Sequence, residues 1–276
     1  DNKAMVSLGL ENWRDLLPQN ADSFVWNVGE TPLSDLKLLP ITWILYLITI
    51  FSLWAFLKNR KPFEIKTIAA FHNLFICIWS LIMFLGIMYE IIKKLKTEGV
   101  EGLYCATDPQ SKGSFSYWLY IYYFSKFFEL FDTVIIVLRK KPLIFLHVYH
   151  HIIVVLMVWL WLQYNIVWSS LGMAFNTFVH VLMYYFFYAT VVGKFIWWKK
   201  YITTIQIIQF MSSFLLSIPY IYYTVGYDAQ GNFQAQCTGW EAFLFSCFCN
   251  FSFLLLFMDF YRKTYNEAKP KPQKKE

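Results

Sequence analysis

Leu143 to Leu162 reads Leu-Ile-Phe-Leu-His147-Val-Tyr-His150-His151-Ile-Ile-Val-Val-Leu-Met-Val-Trp-Leu-Trp-Leu. The stretch contains no Lys, Arg, Asp or Glu. At about 1.5 Å of rise per residue such a run covers roughly the 30 Å hydrocarbon layer of a bilayer. Backbone polar groups inside hydrocarbon must bond within their own segment, so the run is predicted to be a membrane helix. Its three imidazoles sit at one mouth of that helix.

Working outward, similar apolar runs recur along the whole chain. The predicted spans are Leu36–Leu57, Ile65–Ile92, Phe115–Leu138, Leu143–Leu162, Val167–Val192, Tyr201–Val225 and Trp240–Tyr261. The expected fold is therefore an all-α membrane protein with seven transmembrane helices. The 276-residue composition agrees: 58% is hydrophobic and only 15% charged, against about 25% charged in ordinary soluble domains. Residues 1–35 form an acidic N-terminal segment with no basic n-region before an apolar core, so no cleavable signal peptide is expected and the first span directs insertion. Residues 36–262 form the helical domain. Residues 263–276 form a basic, Lys/Pro-rich tail expected to be disordered.

The net charge of +6 does not point to nucleic acid, because the basic residues fall in the gaps between apolar runs. They distribute unevenly. Lys58, Arg60, Lys61 and Lys66 lie after the first span, Arg139, Lys140 and Lys141 after the third, Lys194, Lys199 and Lys200 after the fifth, and the tail adds Arg262, Lys263 and four more lysines. The other side carries Lys3, Arg14, Lys37, Lys93, Lys94, Lys96 and Lys112. The richer side is expected to be cytosolic, which puts the N-terminus in a lumen or outside. Cys105 and Cys237 then share the non-cytosolic side, where an oxidising compartment permits a disulfide. Cys77, Cys247 and Cys249 fall within spans and read as packing residues. The triplet Asn250-Phe251-Ser252 resembles a glycosylation acceptor but lies inside the seventh span, out of reach of that modification.

Ionisable groups inside spans are costly and usually face a cavity or a partner. The third span carries Lys126-Phe-Phe-Glu129-Leu-Phe-Asp132-Thr133. On a helix, Lys126, Glu129 and Thr133 fall within about 60° of one another and Asp132 about 60° beyond. His147, His150 and His151 cover about 100° of their helix, so all three can face one pocket. Metal ligation competes with catalysis as their explanation. Asn176 and His180 share a face of the fifth span. Thr203, Gln206 and Gln209 line up in the sixth; helix–helix hydrogen bonding is the bland alternative for such residues. His72 stands without companions and reads as a satisfied packing histidine.

Four of these groups together resemble the fatty acid elongase family of the endoplasmic reticulum. They are Lys126-x-x-Glu129-x-x-Asp132-Thr133, His147-x-x-His150-His151, His180-x-x-Met183-Tyr184 and Thr203-x-x-Gln206-x-x-Gln209, with Asn59-Arg60-Lys61-Pro62-Phe63 also similar. The resemblance runs from about Asn59 to Arg262. It implies helices two to seven enclosing a narrow acyl tunnel open to the cytosol. It implies the first step of chain elongation, in which acyl-CoA and malonyl-CoA give 3-oxoacyl-CoA, CO2 and CoA. No metal and no cofactor beyond these substrates is implied. The functional partners implied are a 3-oxoacyl-CoA reductase, a 3-hydroxyacyl-CoA dehydratase and an enoyl-CoA reductase, and the family suggests a homodimer.

None of the cysteines lies in a motif, so a neutral imidazole is the available nucleophile. Spacing alone does not separate His147, His150 and His151; the resemblance points to His150 as the acyl carrier. His147 and His151 would orient it and move protons. His180 would approach from the facing helix, with Asn176 fixing its orientation. Lys126, Glu129 and Asp132 would hold histidine tautomers and support developing charge. Tyr184, Gln206 and Gln209 are candidate substrate contacts, and Lys140, Lys199, Lys200 and Arg262 candidate contacts for CoA phosphates. Two rival readings stand beside this. A di-iron desaturase or hydroxylase uses similar histidine boxes but needs more histidines than the five present. A receptor or transporter with seven spans does not require histidines grouped at one membrane face.

Overall fold

The computed structural model describes residues 21–266. The first 20 residues and the Lys/Pro-rich tail beyond Asn266 lie outside the described residues, so the disorder expected for positions 267–276 does too.

Among the described residues eight α-helices follow in chain order: α1 (Leu38–Leu57), α2 (Lys66–Gly102), α3 (Gly113–Glu129), α4 (Phe131–Leu138), α5 (Phe145–Gln163), α6 (Ser169–Val191), α7 (Lys199–Thr224) and α8 (Trp240–Tyr261). A short antiparallel hairpin, β1 (Val225–Tyr227) with β2 (Phe233–Ala235), joins α7 to α8. Among the described residues, six helices are long and apolar enough to cross a bilayer: α1, α2, α5, α6, α7 and α8 with its C-terminal turn. The outer surfaces are apolar, with Ile41, Ile44, Leu45, Ile48, Phe51 and Trp54 of α1 all exposed. Such faces suit lipid, which solvates apolar side chains as readily as a core does.

The stretch read as a single third span departs from that expectation. It folds as α3 and α4, meeting at Leu130. There the amides of Leu130 and Thr133 bond the carbonyls of Phe127 and Leu130, three residues back rather than four. Ser125 accompanies the tightened turn, its hydroxyl donating to the Tyr122 carbonyl at 2.8 Å. Serine back-bonding of this kind bends helices. Hydropathy reports composition and carries no trace of such a turn.

The helix α2 is 37 residues long and extends well past the predicted end at Ile92. Its backbone kinks at Gly99, where φ is +72°. Its most extensive packing is against α6. Against α3 it comes close enough for Trp118 to lie on Gly86, where a Cβ would fall 2.3 Å from the indole ring.

At one end of the bundle the basic loops meet. The Phe63 amide donates to the Leu138 carbonyl at 3.0 Å. Lys140 donates to the carbonyls of Lys58 and Arg60 at 3.2 and 2.9 Å. At the other end a disulfide joins Cys105, after α2, to Cys237, before α8. Phe24 and Trp26 are buried there against Tyr120 and Tyr123, so part of the N-terminal segment packs into the bundle. Arg262–Asn266 continue α8 as a wider turn, and Tyr265 reaches back to Lys199 and Thr203.

Replacing Gly86 with Ala forces the Trp118 ring off α2. Overpacking at such a site costs about 1–3 kcal/mol. The Gly86→Ala protein in detergent is expected to melt below wild type by fluorescence-detected thermal denaturation. An unchanged midpoint would show that Trp118 has an alternative seat.

Candidate active site

The tightened turn at Leu130 points three groups of side chains from one short segment at four different helices. Lys126 and Glu129 face α6. Their Nζ–Oε1 distance is 2.6 Å, and both side chains are essentially fully buried. Lys126 Nζ also lies over the Tyr122 ring, 4.1 Å from its centroid. Glu129 Oε1 stands 3.6 Å from His180 Nδ1, close enough for electrostatic coupling though beyond hydrogen-bond length. Asp132 faces α2 and α6: Oδ1 lies 2.7 Å from His72 Nε2, and Oδ2 accepts from the Tyr184 hydroxyl. Thr133 faces α1 and α5, with its Oγ1 2.7 Å from the Tyr46 hydroxyl and 2.8 Å from His147 Nε2.

The three imidazoles at the mouth of α5 cluster. The rings of His147 and His151 are 4.3 Å apart and those of His150 and His151 5.5 Å. His150 packs against Phe253 of α8 at 5.0 Å. Among the described residues, no three His, Cys, Asp or Glu side chains converge as a metal-binding set.

The three α5 histidines, Glu129, Asp132, and His180 and Tyr184 of α6 line a cavity of about 380 Å³. Its walls also include Asn176 of α6, and Gln206 and Gln209 of α7. The wall reaches Arg139, Val191, Lys199 and Tyr265, at the helix ends joined by the basic loops. A second, narrower cavity of about 40 Å³ continues between α5, α6, α7 and α8 past Val154, Trp161, Trp168 and Asn250. His150, Asn176, Gln209 and Phe210 line both. His150 therefore lines both a wide chamber that carries charged side chains, Glu129, Asp132, Arg139 and Lys199, and a narrow one lined by no Asp, Glu, Lys or Arg.

Several positions differ in detail from the sequence reading. Asn176 accepts from Tyr122 at 2.8 Å instead of bonding His180, so it holds the ring beneath Lys126. His72 is satisfied, as the sequence reading expected, but its partner is Asp132, so it belongs to the polar network despite having no companions on its own helix. Gln206 donates toward the Met183 sulfur at 3.6 Å. Of the basic candidates, Lys199 lines the cavity. Lys140 is turned to the loop carbonyls, Lys200 lies over Tyr261 at 5.5 Å, and Arg262 pairs with Asp259 at 3.0 Å. Arg139, Asn73 and Tyr265 line the cavity although nothing in their spacing singled them out. The run Arg139-Lys140-Lys141 was the available signal for the first. Asn250, which the sequence offered only as part of a glycosylation-type triplet, lines the narrow chamber.

The sequence matches the ELO family, described as the GNS1/SUR4 family, over residues 31–274. The chain belongs to this family of fatty acid elongases. A Dictyostelium discoideum protein provisionally named a fatty acid elongase is 47% identical over 259 residues, covering 92% of this chain and 84% of that protein. Fatty acid elongase A of the same organism is 41% identical over 89% of each chain. Very long chain fatty acid elongase 7 of Rattus norvegicus is 32% identical, covering 79% of this chain and 76% of its own. This elongase-family chain is a multi-pass membrane protein by its helices.

In the elongase the Lys126–Glu129 pair tests the electrostatic frame. Removing one partner of a buried pair leaves an uncompensated charge and costs about 3–5 kcal/mol, whereas replacing both restores much of that loss. Lys126→Met is expected to be strongly destabilised in detergent, and Lys126→Met with Glu129→Gln to recover most of the thermal midpoint. A double variant no more stable than the single one would mean the pair does not act as a unit.

Proposed function

We propose that the chain catalyses the condensing step of fatty acid elongation, joining a long-chain acyl-CoA and malonyl-CoA to give 3-oxoacyl-CoA, CO2 and CoA. The observation that carries this reading is His150 at the junction of the two chambers. A thioester carbonyl held there has its hydrocarbon tail in the narrow chamber and its CoA in the wide one. In this reading α3 and α4 together make a seventh crossing, and the helices from α2 onward enclose the acyl tunnel.

The His150 imidazole attacks the thioester carbonyl, and CoA leaves as a thiolate that takes the imidazole proton. The product is an acyl-imidazole, which is reactive toward carbon nucleophiles. Malonyl-CoA then loses CO2, and the resulting enolate carbon attacks the acyl carbonyl. The C–N bond breaks, and the imidazole regains a proton from solvent in the open chamber. His180, held near Glu129, faces the same space and is suited to stabilise the negative charge that develops on oxygen. His147, tied to Thr133, and His151 orient the box and move protons.

Lys199 and Arg139 at the chamber mouth are suited to CoA phosphates, with Lys200 and Arg262 further out. The endoplasmic reticulum membrane suits this assignment, with the basic loops and C-terminus in the cytosol and the Cys105–Cys237 end in the oxidising lumen. The reaction calls for no cofactor beyond its two CoA substrates. Its product requires the 3-oxoacyl-CoA reductase, 3-hydroxyacyl-CoA dehydratase and enoyl-CoA reductase that complete a round of elongation. A homodimer is the assembly proposed from the family.

Incubation of the purified protein with acyl-CoA alone is expected to release CoA and leave an acyl mass on the peptide containing His150, read by mass spectrometry. The His150→Ala protein should show neither. If wild type releases CoA only after malonyl-CoA is added and carries no acyl group, the covalent path is wrong.

A further inference from the structure

His72 has no part in the chemistry above, yet its placement is specific. It lies near the end of the second turn of α2, and its Nε2 meets Asp132 Oδ1 at 2.7 Å, with the two side chains only 13% and 12% exposed. Asp132 thus carries one donor on each oxygen, from His72 of α2 and Tyr184 of α6. A carboxylate bonded on both oxygens from two helices has little freedom to rotate. The Tyr184 ring in turn stands edge-on to His180, with centroids 5.6 Å apart. His180 is therefore braced from two sides. Glu129, anchored by Lys126, holds one, and Tyr184, anchored by Asp132, holds the other. The His72 ring packs near Phe131 at 6.5 Å and does not line the cavity, although its neighbour Asn73 does.

We propose that His72 is a positioning residue for the condensing reaction: through Asp132 it fixes the Tyr184 hydroxyl, and so the orientation of the His180 imidazole at the cavity wall. This rests on the function proposed above. The physical argument is one of reach and desolvation. Without His72, one Asp132 oxygen loses its donor in an apolar setting, and leaving such a group unpaired is costly. The carboxylate then turns to find another partner and releases Tyr184. Displacement of a catalytic group by about 1 Å is enough to cost up to roughly a hundredfold in rate. Substrate affinity changes little, because His72 touches neither chamber.

The test is a double-mutant cycle on the full-length purified protein, read as radiolabelled malonyl-CoA incorporation. His72→Leu is expected to lower kcat about tenfold or more while leaving KM for both CoA substrates within about twofold. His72→Gln, whose amide can donate to the same Asp132 oxygen, should recover most of the lost kcat. Tyr184→Phe should also be slow, and adding His72→Leu to it should slow it no further, because the path from His72 is already cut. If His72→Leu does not accumulate as folded protein, His72→Asn takes its place in the cycle, since its amide falls short of Asp132. Additive losses, a loss confined to KM, or a Gln variant no better than Leu would each overturn the proposal. A wild-type protein that incorporates no malonyl-CoA would instead overturn the condensing function itself.

Discussion

The ion pair between Lys126 and Glu129 constrains everything around it. Two opposite charges 2.6 Å apart are buried in the last turn of an aromatic helix. Neither could sit there alone, because an unpaired charge in a low-dielectric interior is strongly unfavourable. Their pairing fixes the helix face of α3 toward α6. Tyr122 covers the ammonium and passes the constraint to Asn176, and Glu129 passes it to His180. The tight turn at Leu130 then redirects Asp132 and Thr133 to other helices. One short segment thereby sets the orientation of groups on α1, α2, α5 and α6.

The two chambers translate this frame into a gradient of charge. Glu129, Asp132, Arg139 and Lys199 line the wide one, whereas no Asp, Glu, Lys or Arg lines the narrow one. Polar side chains in membrane interiors are retained where they face a cavity or one another, and here they do both. A molecule with a polar, charged head and a hydrocarbon tail matches that gradient in only one direction, head toward the basic loops. The arrangement therefore selects orientation before any single contact selects identity.

The membrane helices were legible because hydrocarbon imposes a simple rule of length and apolarity, and the runs around Leu143–Leu162 obey it without interruption. Helical periodicity likewise placed the α5 histidines, Glu129 and His180 toward a common space. What the pattern could not supply was the partner of each group. His72 looked isolated because its carboxylate lies 60 residues away on another helix. Asn176 looked like a support for His180 because they share a face, but the Tyr122 hydroxyl, from a different helix, claims its oxygen first. The break in the third span escaped for a different reason: a change from four-residue to three-residue hydrogen bonds leaves composition untouched. The mouth lysines show the limit of charge counting, since Lys140 is spent on loop carbonyls and Lys199 faces the chamber although both belong to the same basic side.

The covalent link between Cys105 and Cys237, 132 positions apart in the chain, ties the far end of α2 to the near end of α8. That bond keeps α2 and α8 from separating at this pole. Among the described residues the opposite pole carries no covalent link: there Lys140 holds the Lys58 and Arg60 carbonyls, and Tyr265 the Lys199 carbonyl, by hydrogen bonds.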